Sequence, residues 1–298
     1  MTEPTTTALT EGKVPLWRRL RAYWQMTKSL QTGLLLVTGL AGYASAGQAE
    51  RLWPTIAAVL GSLFLAVAGS TVLNMALDRD IDARMARTAK RPLPRATVGP
   101  QEAWVLGLAM AVLGVSWGAW LHPLTGAVIF AGVFLDVVVY TVWLKRRTPW
   151  SILWGGISGG MPVLAGRTLA VGQIDGIGLL LALAVLAWIP THIMTFSIKY
   201  AEDYGRAGVP VFPNVYGVRA TRFIIGISTS VATLVMLWAT WLTGLGGVYM
   251  SIAVFLGAML LVFALASVVH ATPKLNFVLF KLASLYMLGS MFLIISGL

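Results

Sequence analysis

Asn74, Asp78 and Asp82 recur every four residues in the stretch Asn74-Met-Ala-Leu-Asp78-Arg-Asp80-Ile-Asp82, so on a continued helix they stack on one face. Like charges at that spacing destabilise a helix slightly, and a cation would offset them. Mg²⁺ suits the donors: it is hard, takes oxygen ligands, keeps several waters and is usually shared with substrate phosphates. The alternative is a solvated helix end with Asp78 and Asp82 paired to Arg84, Arg87 or Lys90. Scarcity favours a site, because the chain has 11 acidic residues and Asp78, Asp80, Asp82, Glu202 and Asp203 crowd into two stretches. Downstream, Arg87-Thr-Ala-Lys90-Arg91-Pro92-Leu-Pro94 places cations beside the aspartates. Arginine holds phosphate oxygens bidentately, and the prolines fix a turn and end the helix. Lys145-Arg146-Arg147 would close over the same anion, although membrane topology alone accounts for that run.

A second stretch, Lys199-Tyr200-Ala-Glu202-Asp203-Tyr204-Gly-Arg206, offers another carboxylate pair flanked by cations. Two carboxylate sites facing each other can clamp one diphosphate through metal ions and assist its departure. An allylic cation left behind must be shielded from water in an apolar chamber.

The elements that position these residues follow from composition. Of 298 residues, 57% are hydrophobic and 11% charged, against roughly 25% charged in soluble domains. Most of the chain must therefore sit in lipid as helices that close their own hydrogen bonds. With no cysteine, disulfides, thiolate metal sites and a cysteine nucleophile are excluded. The net charge of +11 is read as a topology signal and not as a nucleic-acid footprint. Residues 1–12 are polar, and no cleavable signal peptide is expected. Within 16–28, Leu16, Leu20, Tyr23 and Trp24 share a helical face and the arginines lie elsewhere, the pattern of an interfacial helix or of a basic anchor before a span.

At roughly 20 apolar residues per crossing, nine spans are expected: 30–48, 52–77, 101–121, 123–144, 150–170, 174–198, 220–243, 245–269 and 276–297. Residues 1–29 form a polar terminus with the interfacial helix, and 30–298 form one transmembrane domain. With the N-terminus inside, nearly all basic residues fall on inner segments and only Arg51 and Arg167 on outer loops, as the positive-inside rule requires. The expected setting is a cell membrane with cytoplasmic site loops and an outer C-terminus. Helices 2 and 6 each run into a long charged loop on that inner face, 78–100 and 199–219, and long loops of this kind carry function.

Three features lie within the spans. Asp136 is deep in the fourth, where an ionisable residue is functional by default; it either lines the chamber with Tyr140 or bonds to another helix. His192, just after Pro190 near the inner end of the sixth, suits a metal ligand, a proton carrier or a structural role. Gly155, Gly156, Gly159 and Gly160 give two overlapping G-x3-G spacings that predict close helix packing.

Asn74-x3-Asp78-x3-Asp82 followed by Arg87-Thr-x2-Arg91-Pro-Leu-Pro resembles the first motif of the UbiA superfamily of intramembrane prenyltransferases. The stretches 78–94, 140–149, Trp188-x-Pro-x-His192 and 202–213 are similar to its haem O synthase (protohaem IX farnesyltransferase) branch. They cover helices 2 to 7 in matching order. The second motif departs from the wider superfamily, with Ala207 four residues after Asp203 where an aspartate is usual. The branch also more often shows Asn, Pro and Trp where this chain has Ser151, Val163 and Arg167.

The resemblance implies an all-α, nine-helix bundle. Asn74, Asp78 and Asp82 would carry a first Mg²⁺ site, and Asp203 with Glu202 a second. Arg87, Arg91, Lys145 and Lys199 would contact diphosphate, and His192, Asp136 and Tyr140 would face the acceptor. Donor and acceptor would be farnesyl diphosphate and haem B (a substrate, not a cofactor), within membrane lipid, without nucleic acid, and with room for a homo-oligomer or a haem-pathway partner. A quinone precursor, a lipid or a chlorophyll-like ring is the alternative acceptor. A transporter would need ionisable residues along a midplane path, and only Asp136 lies deep.

Overall fold

A computed structural model describes residues 15–47, 53–270 and 272–297, and among them all regular structure is helical. The order is α1 (Leu16–Met26), α2 (Ser29–Ala44), α3 (Trp53–Leu77), α4 (Arg79–Arg84), α5 (Pro100–Leu121) and α6 (Pro123–Phe134), which continues as a π-helix over Leu135–Leu144. Then follow α7 (Ser151–Val171), α8 (Gly176–Lys199), α9 (Ala201–Arg206), α10 (Phe212–Val215), α11 (Gly217–Leu242), α12 (Gly247–Val269) and α13 (Pro273–Gly297).

Each of the nine expected spans falls on a helix, but seven of these helices are long and apolar enough to cross a membrane. The exceptions are α2 and α7. With 16 residues, α2 reaches about 24 Å at 1.5 Å per residue, short of the ~30 Å hydrocarbon core. The hydropathy of α7 is diluted by its glycines, Pro162 and Arg167. Outward-facing Leu113, Trp120, Leu234, Trp238 and Phe255 are exposed, which suits contact with lipid.

Two cores fill the bundle. One gathers Leu181, Ile225, Met236, Leu260, Tyr286 and Met291 between α8, α11, α12 and α13. The other joins α3, α6 and α7 through Val59, Leu63, Ile129 and Leu164. Small residues set the closest approaches. A Cβ on Gly42 or Gly166 would strike the Val163 or Gly39 carbonyl, so α2 and α7 meet backbone to backbone. A Cβ on Gly156 or Gly160 would strike Leu186 or Ala182 on α8, so the overlapping G-x3-G spacings do serve packing.

Arg167, assigned above to an outer loop, is instead buried inside α7. Its guanidinium donates to Asp175, the N-cap of α8, at 2.6 Å and to the Ser45 carbonyl at the end of α2. Burial raises the Asp175 carboxyl, but the Arg167 hydrogen bond and the Gly178 amide outweigh it and hold the group below the usual carboxylate range. Arg51 lies outside the described residues.

At the opposite end, α1 leaves Leu16, Trp17, Leu20 and Trp24 exposed and buries Ala22 and Met26 against Val72, Met75, Leu93 and Val98. It therefore lies across the mouth of the first long loop, with an apolar face outward. The two long loops each hold a six-residue helix, α4 and α9, and they pack together through Ile81, Met85, Tyr204, Ala207 and Val209.

Close packing of α2 on α7 gives a direct expectation. Gly166→Leu, which drives a side chain into Gly39, should cost about 1–3 kcal/mol or more as overpacking. Gly33→Ala, with nothing within 4 Å of the added Cβ, should leave the fold unharmed. Thermal unfolding of the detergent-solubilised protein separates the two.

Candidate active site

Helix α3 ends at Leu77 and α4 begins at Arg79, so Asp78 is the joint between them. The joint keeps helical bonding: the Asp78 amide donates to the Asn74 carbonyl at 2.9 Å and the Asp82 amide to the Asp78 carbonyl at 2.8 Å. The four-residue spacing thus survives the break, and both carboxylates are buried, at 5% and 4% exposed.

Their partners are not the nearby Arg84, Arg87 or Lys90. Lys145, at the end of the π-helix, forms an ion pair with Asp78. One guanidinium nitrogen of Arg91 reaches both Asp82 oxygens, at 2.8 and 2.7 Å. Burial works against the Lys145 ammonium, but Tyr140 and Asp78 outweigh it and hold its pKa above the usual lysine value. Its charge also sits 5.7 Å from the Tyr140 ring centroid. Arg146 donates to Asp80 at 2.6 and 2.8 Å and to the Leu77 carbonyl at 2.9 Å, stapling the end of α3 to the π-helix.

Asp136 accepts the Asn74 amide at 2.7 Å, and Thr141 donates to the Asn74 carbonyl oxygen at 2.8 Å. Of the two readings offered for Asp136, the bond to another helix is the one observed. The π-helix supplies Asp136, Tyr140, Thr141 and the ion-pairing Lys145 from one segment, and such segments recur at functional sites.

Lys28 is a further member. It caps α2 in the left-handed region (φ 44°, ψ 56°), a conformation that costs a non-glycine residue about 1–3 kcal/mol. Burial, and then the charges of Arg91 and Lys145, lower its pKa to about 8, against the raising effect of Asp136 and Asp82. Nothing in the sequence distinguished Lys28 or Thr141 from topology and filler, and Arg146 stood out only within the Lys145–Arg147 run, because only folding brings them to the carboxylates.

The second loop meets the first through Asp203. That side chain is buried and ion-pairs with Arg206, and the backbone amides of Ala86 and Arg87 lie close enough to favour its charged form. The Arg206 hydrogen bond holds its carboxyl below the usual range. Glu202 is exposed. Arg87 stacks over Phe196 (4.9 Å) and Tyr200 (5.4 Å), and Lys199 over Tyr200 (5.2 Å) and Phe277 (5.0 Å). These two cations therefore sit on an aromatic rim. From the rim a file of rings runs inward: Tyr200–Phe196 at 4.6 Å, Phe196–Phe280 at 5.9 Å, Phe280–His192 at 4.5 Å and His192–Trp188 at 4.9 Å.

Among the described residues, no three carboxylate or imidazole groups converge as a finished metal cage. The donors still fit a hard divalent cation. Asp78 Oδ1 is buried with no hydrogen-bond partner, and the Asn74 carbonyl oxygen accepts one bond of the two it can take. A Mg²⁺ site of one or two carboxylates completed by substrate phosphate matches that supply.

Lys28 gives a pH signature. Below about pH 8 it is cationic and would attract an anion such as diphosphate; above that value the charge is lost and affinity should fall. Lys28→Met should weaken pyrophosphate binding about tenfold or more, as expected for a charge-assisted hydrogen bond of about 1.5–3 kcal/mol. Lys28→Arg should keep binding but flatten the fall between pH 7 and 9, both read by titration calorimetry.

The UbiA prenyltransferase family profile matches residues 35–288. The protoheme IX farnesyltransferase of Thermofilum pendens is 40% identical over 222 residues, covering 74% of this chain and 78% of that one. The protein of the same name from Archaeoglobus fulgidus is 42% identical over 212 residues, covering 71% and 74%. The solved structure of a digeranylgeranylglyceryl phosphate synthase superposes with a TM-score of 0.77 at 17% identity, over 94% of this chain and 98% of that one. A UbiA homolog from Archaeoglobus fulgidus bound to GPP and Mg²⁺ gives 0.65 at 14% identity, over 94% and 99%. The carboxylate–cation mouth, the all-helical bundle and these likenesses agree: the chain belongs to the UbiA prenyltransferase family.

Proposed function

We propose that this chain is a haem O synthase, transferring the farnesyl group of farnesyl diphosphate to a vinyl group of haem B. The observation that carries the reading is its 35–42% identity to proteins named protoheme IX farnesyltransferase, with one alignment spanning 90% of this chain and 85% of the relative. The site supplies matching chemistry. The donor's C–O bond breaks with its electron pair leaving on diphosphate, and the vinyl π-electrons form the new C–C bond. Water then adds to the ring-adjacent cation and loses a proton.

Arg91, Lys145 and Lys28 lie where diphosphate charge builds up, with Arg87 and Lys199 at the rim. Mg²⁺, when bound, would be held by Asn74, Asp78 and Asp82, and by Asp203 with Glu202, and would neutralise charge on the departing diphosphate. Asp136 acts through Asn74, fixing its amide. Binding the anion would release Lys145 and Arg91 from the aspartates toward phosphate oxygens. The aromatic file leads from the rim to His192 and gives the allylic cation a π-rich wall. His192 would hold the haem iron and present the vinyl group, a positioning effect that can lower a barrier by several kcal/mol.

In membrane terms, α2 and α7 complete nine crossings, with the N-terminus and both site loops cytoplasmic in the cell membrane.

Purified protein incubated with haem B, farnesyl diphosphate and Mg²⁺ should yield haem O by mass spectrometry, and EDTA should abolish it. Asp78→Ala, Asp82→Ala and Asp203→Ala should each lose orders of magnitude in rate while remaining folded. Absence of haem O, with prenylation of a quinone precursor or lipid by the same preparation, would move the chain to another branch.

For topology, the native chain has no cysteine, so single cysteines at 90 and 206 report cleanly. Both should react with a membrane-impermeant thiol reagent from the cytoplasmic side only. Labelling from opposite sides would separate the two loops and defeat a shared site.

A further inference from the structure

His192 is held on three sides. Its imidazole lies between Trp188, at 4.9 Å and 21° between planes, and Phe280, at 4.5 Å and 24°. Its Nδ1 lies 3.2 Å from Ser284 Oγ on α13. The seam around it is pinned in register: Trp188 Nε1 donates to the Ala283 carbonyl at 2.7 Å, and Asn276 donates to the Thr195 carbonyl at 2.8 Å. The ring can neither tilt out of the stack nor slide along α13.

Ser284 also makes a second contact, at 3.1 Å from the carbonyl oxygen of Phe280, one turn earlier on its own helix. A serine hydroxyl has one proton and two acceptor lone pairs. The Phe280 carbonyl can only accept; with the Ser284 proton directed there, Ser284 Oγ meets Nδ1 as an acceptor. A neutral imidazole that donates from Nδ1 has its lone pair on Nε2. Isolated neutral histidine in water favours the opposite form, so a bond in this direction would reverse the intrinsic preference.

We propose that Ser284, with the Phe280 carbonyl behind it, is a positioning residue that fixes His192 as the Nδ1–H tautomer and leaves Nε2 bare as the nitrogen presented to the acceptor's iron. The iron clause rests on the haem O synthase reading; the tautomer clause rests on geometry alone. Histidines that ligate metals almost always donate their other ring N–H to an oxygen acceptor, which orients the ring and raises its basicity. The same arrangement explains why a serine stands in the ring file at this point: an alanine would leave Nδ1 facing an apolar wall, where an unpaired N–H is costly.

The chain has three histidines, so His122→Gln with His270→Gln leaves His192 as the sole reporter. In that background, ¹⁵N-histidine NMR at pH 8 should show a protonated Nδ1 and a bare Nε2. Ser284→Ala should move the signals to the Nε2–H form or to an exchanging mixture, and Ser284→Thr should restore the parent pattern. Titration with ferric haem B should show an imidazole-ligated spectrum in the parent and in Ser284→Thr, with affinity about 10–100-fold weaker in Ser284→Ala. A bare Nδ1 in the parent overturns the proposal whatever the variants do, as does an Ser284→Ala spectrum identical to the parent. Failure of the parent to bind haem B at all removes the iron clause and the acceptor reading together, while loss of tautomer control alone leaves the acceptor reading standing.

Discussion

Two carboxylates, Asp78 and Asp82, are buried where a lipid-embedded bundle meets water, and most of the site follows from the need to neutralise them. A buried charge without a partner is strongly unfavourable, and removing one member of such a pair costs about 3–5 kcal/mol. Here the partners come from elsewhere in the chain: Lys145 from the end of the π-helix and Arg91 from the far side of the first loop. Each pairing therefore fixes tertiary structure as well as charge. The same cations are the groups a diphosphate would claim, so the site is held together by interactions that an anionic substrate can exchange. That exchange is favourable only if another cation takes over the aspartates, which is the physical case for a divalent metal arriving with the substrate.

The rest of the bundle serves to bring four helix ends to one place. Glycine-mediated contact of α2 with α7 and of α7 with α8 sets the bundle tightly enough for Lys28, at the start of α2, to reach the charges of Arg91 and Lys145. The π-helix alters the register of α6 before it ends, and Asp136, Thr141 and Lys145 all meet α3 and the joint beyond it. Asp203 closes the arrangement from the second loop, near the Ala86 and Arg87 amides of the first, where the two loops pack through Ile81, Met85, Ala207 and Val209. It is thus a tie between the loops in addition to any metal it would hold. Glu202, its neighbour, is exposed.

Along the α8–α13 seam the chemistry changes from charge to rings. Cations at the rim stack on Phe196, Tyr200 and Phe277, and the file continues through Phe280 to His192 and Trp188. A flat conjugated acceptor and an allylic cation both suit such a wall, since ring faces attract cations and stack with planar groups. Charge at the mouth and rings behind it divide the site into a charged half and an aromatic half.

The sequence by itself determined the membrane setting, the helical segments and the two charged loops, because apolar run length and basic-residue asymmetry are local properties. It also placed the aspartates correctly, since their four-residue spacing outlasts the break at Asp78. The count of crossings was less legible: α2 is short and α7 is diluted by glycines, so length and hydropathy alone identify seven. Partners were not legible either. Arg84, Arg87 and Lys90 stand nearer to Asp78 in the chain than Lys145 does, yet Asp78 pairs with Lys145 and Asp82 with Arg91, while Arg87 stacks on Phe196 and Tyr200. Lys28, Thr141 and Ser284, which meets His192, were invisible because their partners lie far off in the chain. Each is an ordinary residue whose significance lies in what stands opposite it, and only the packed bundle decides that.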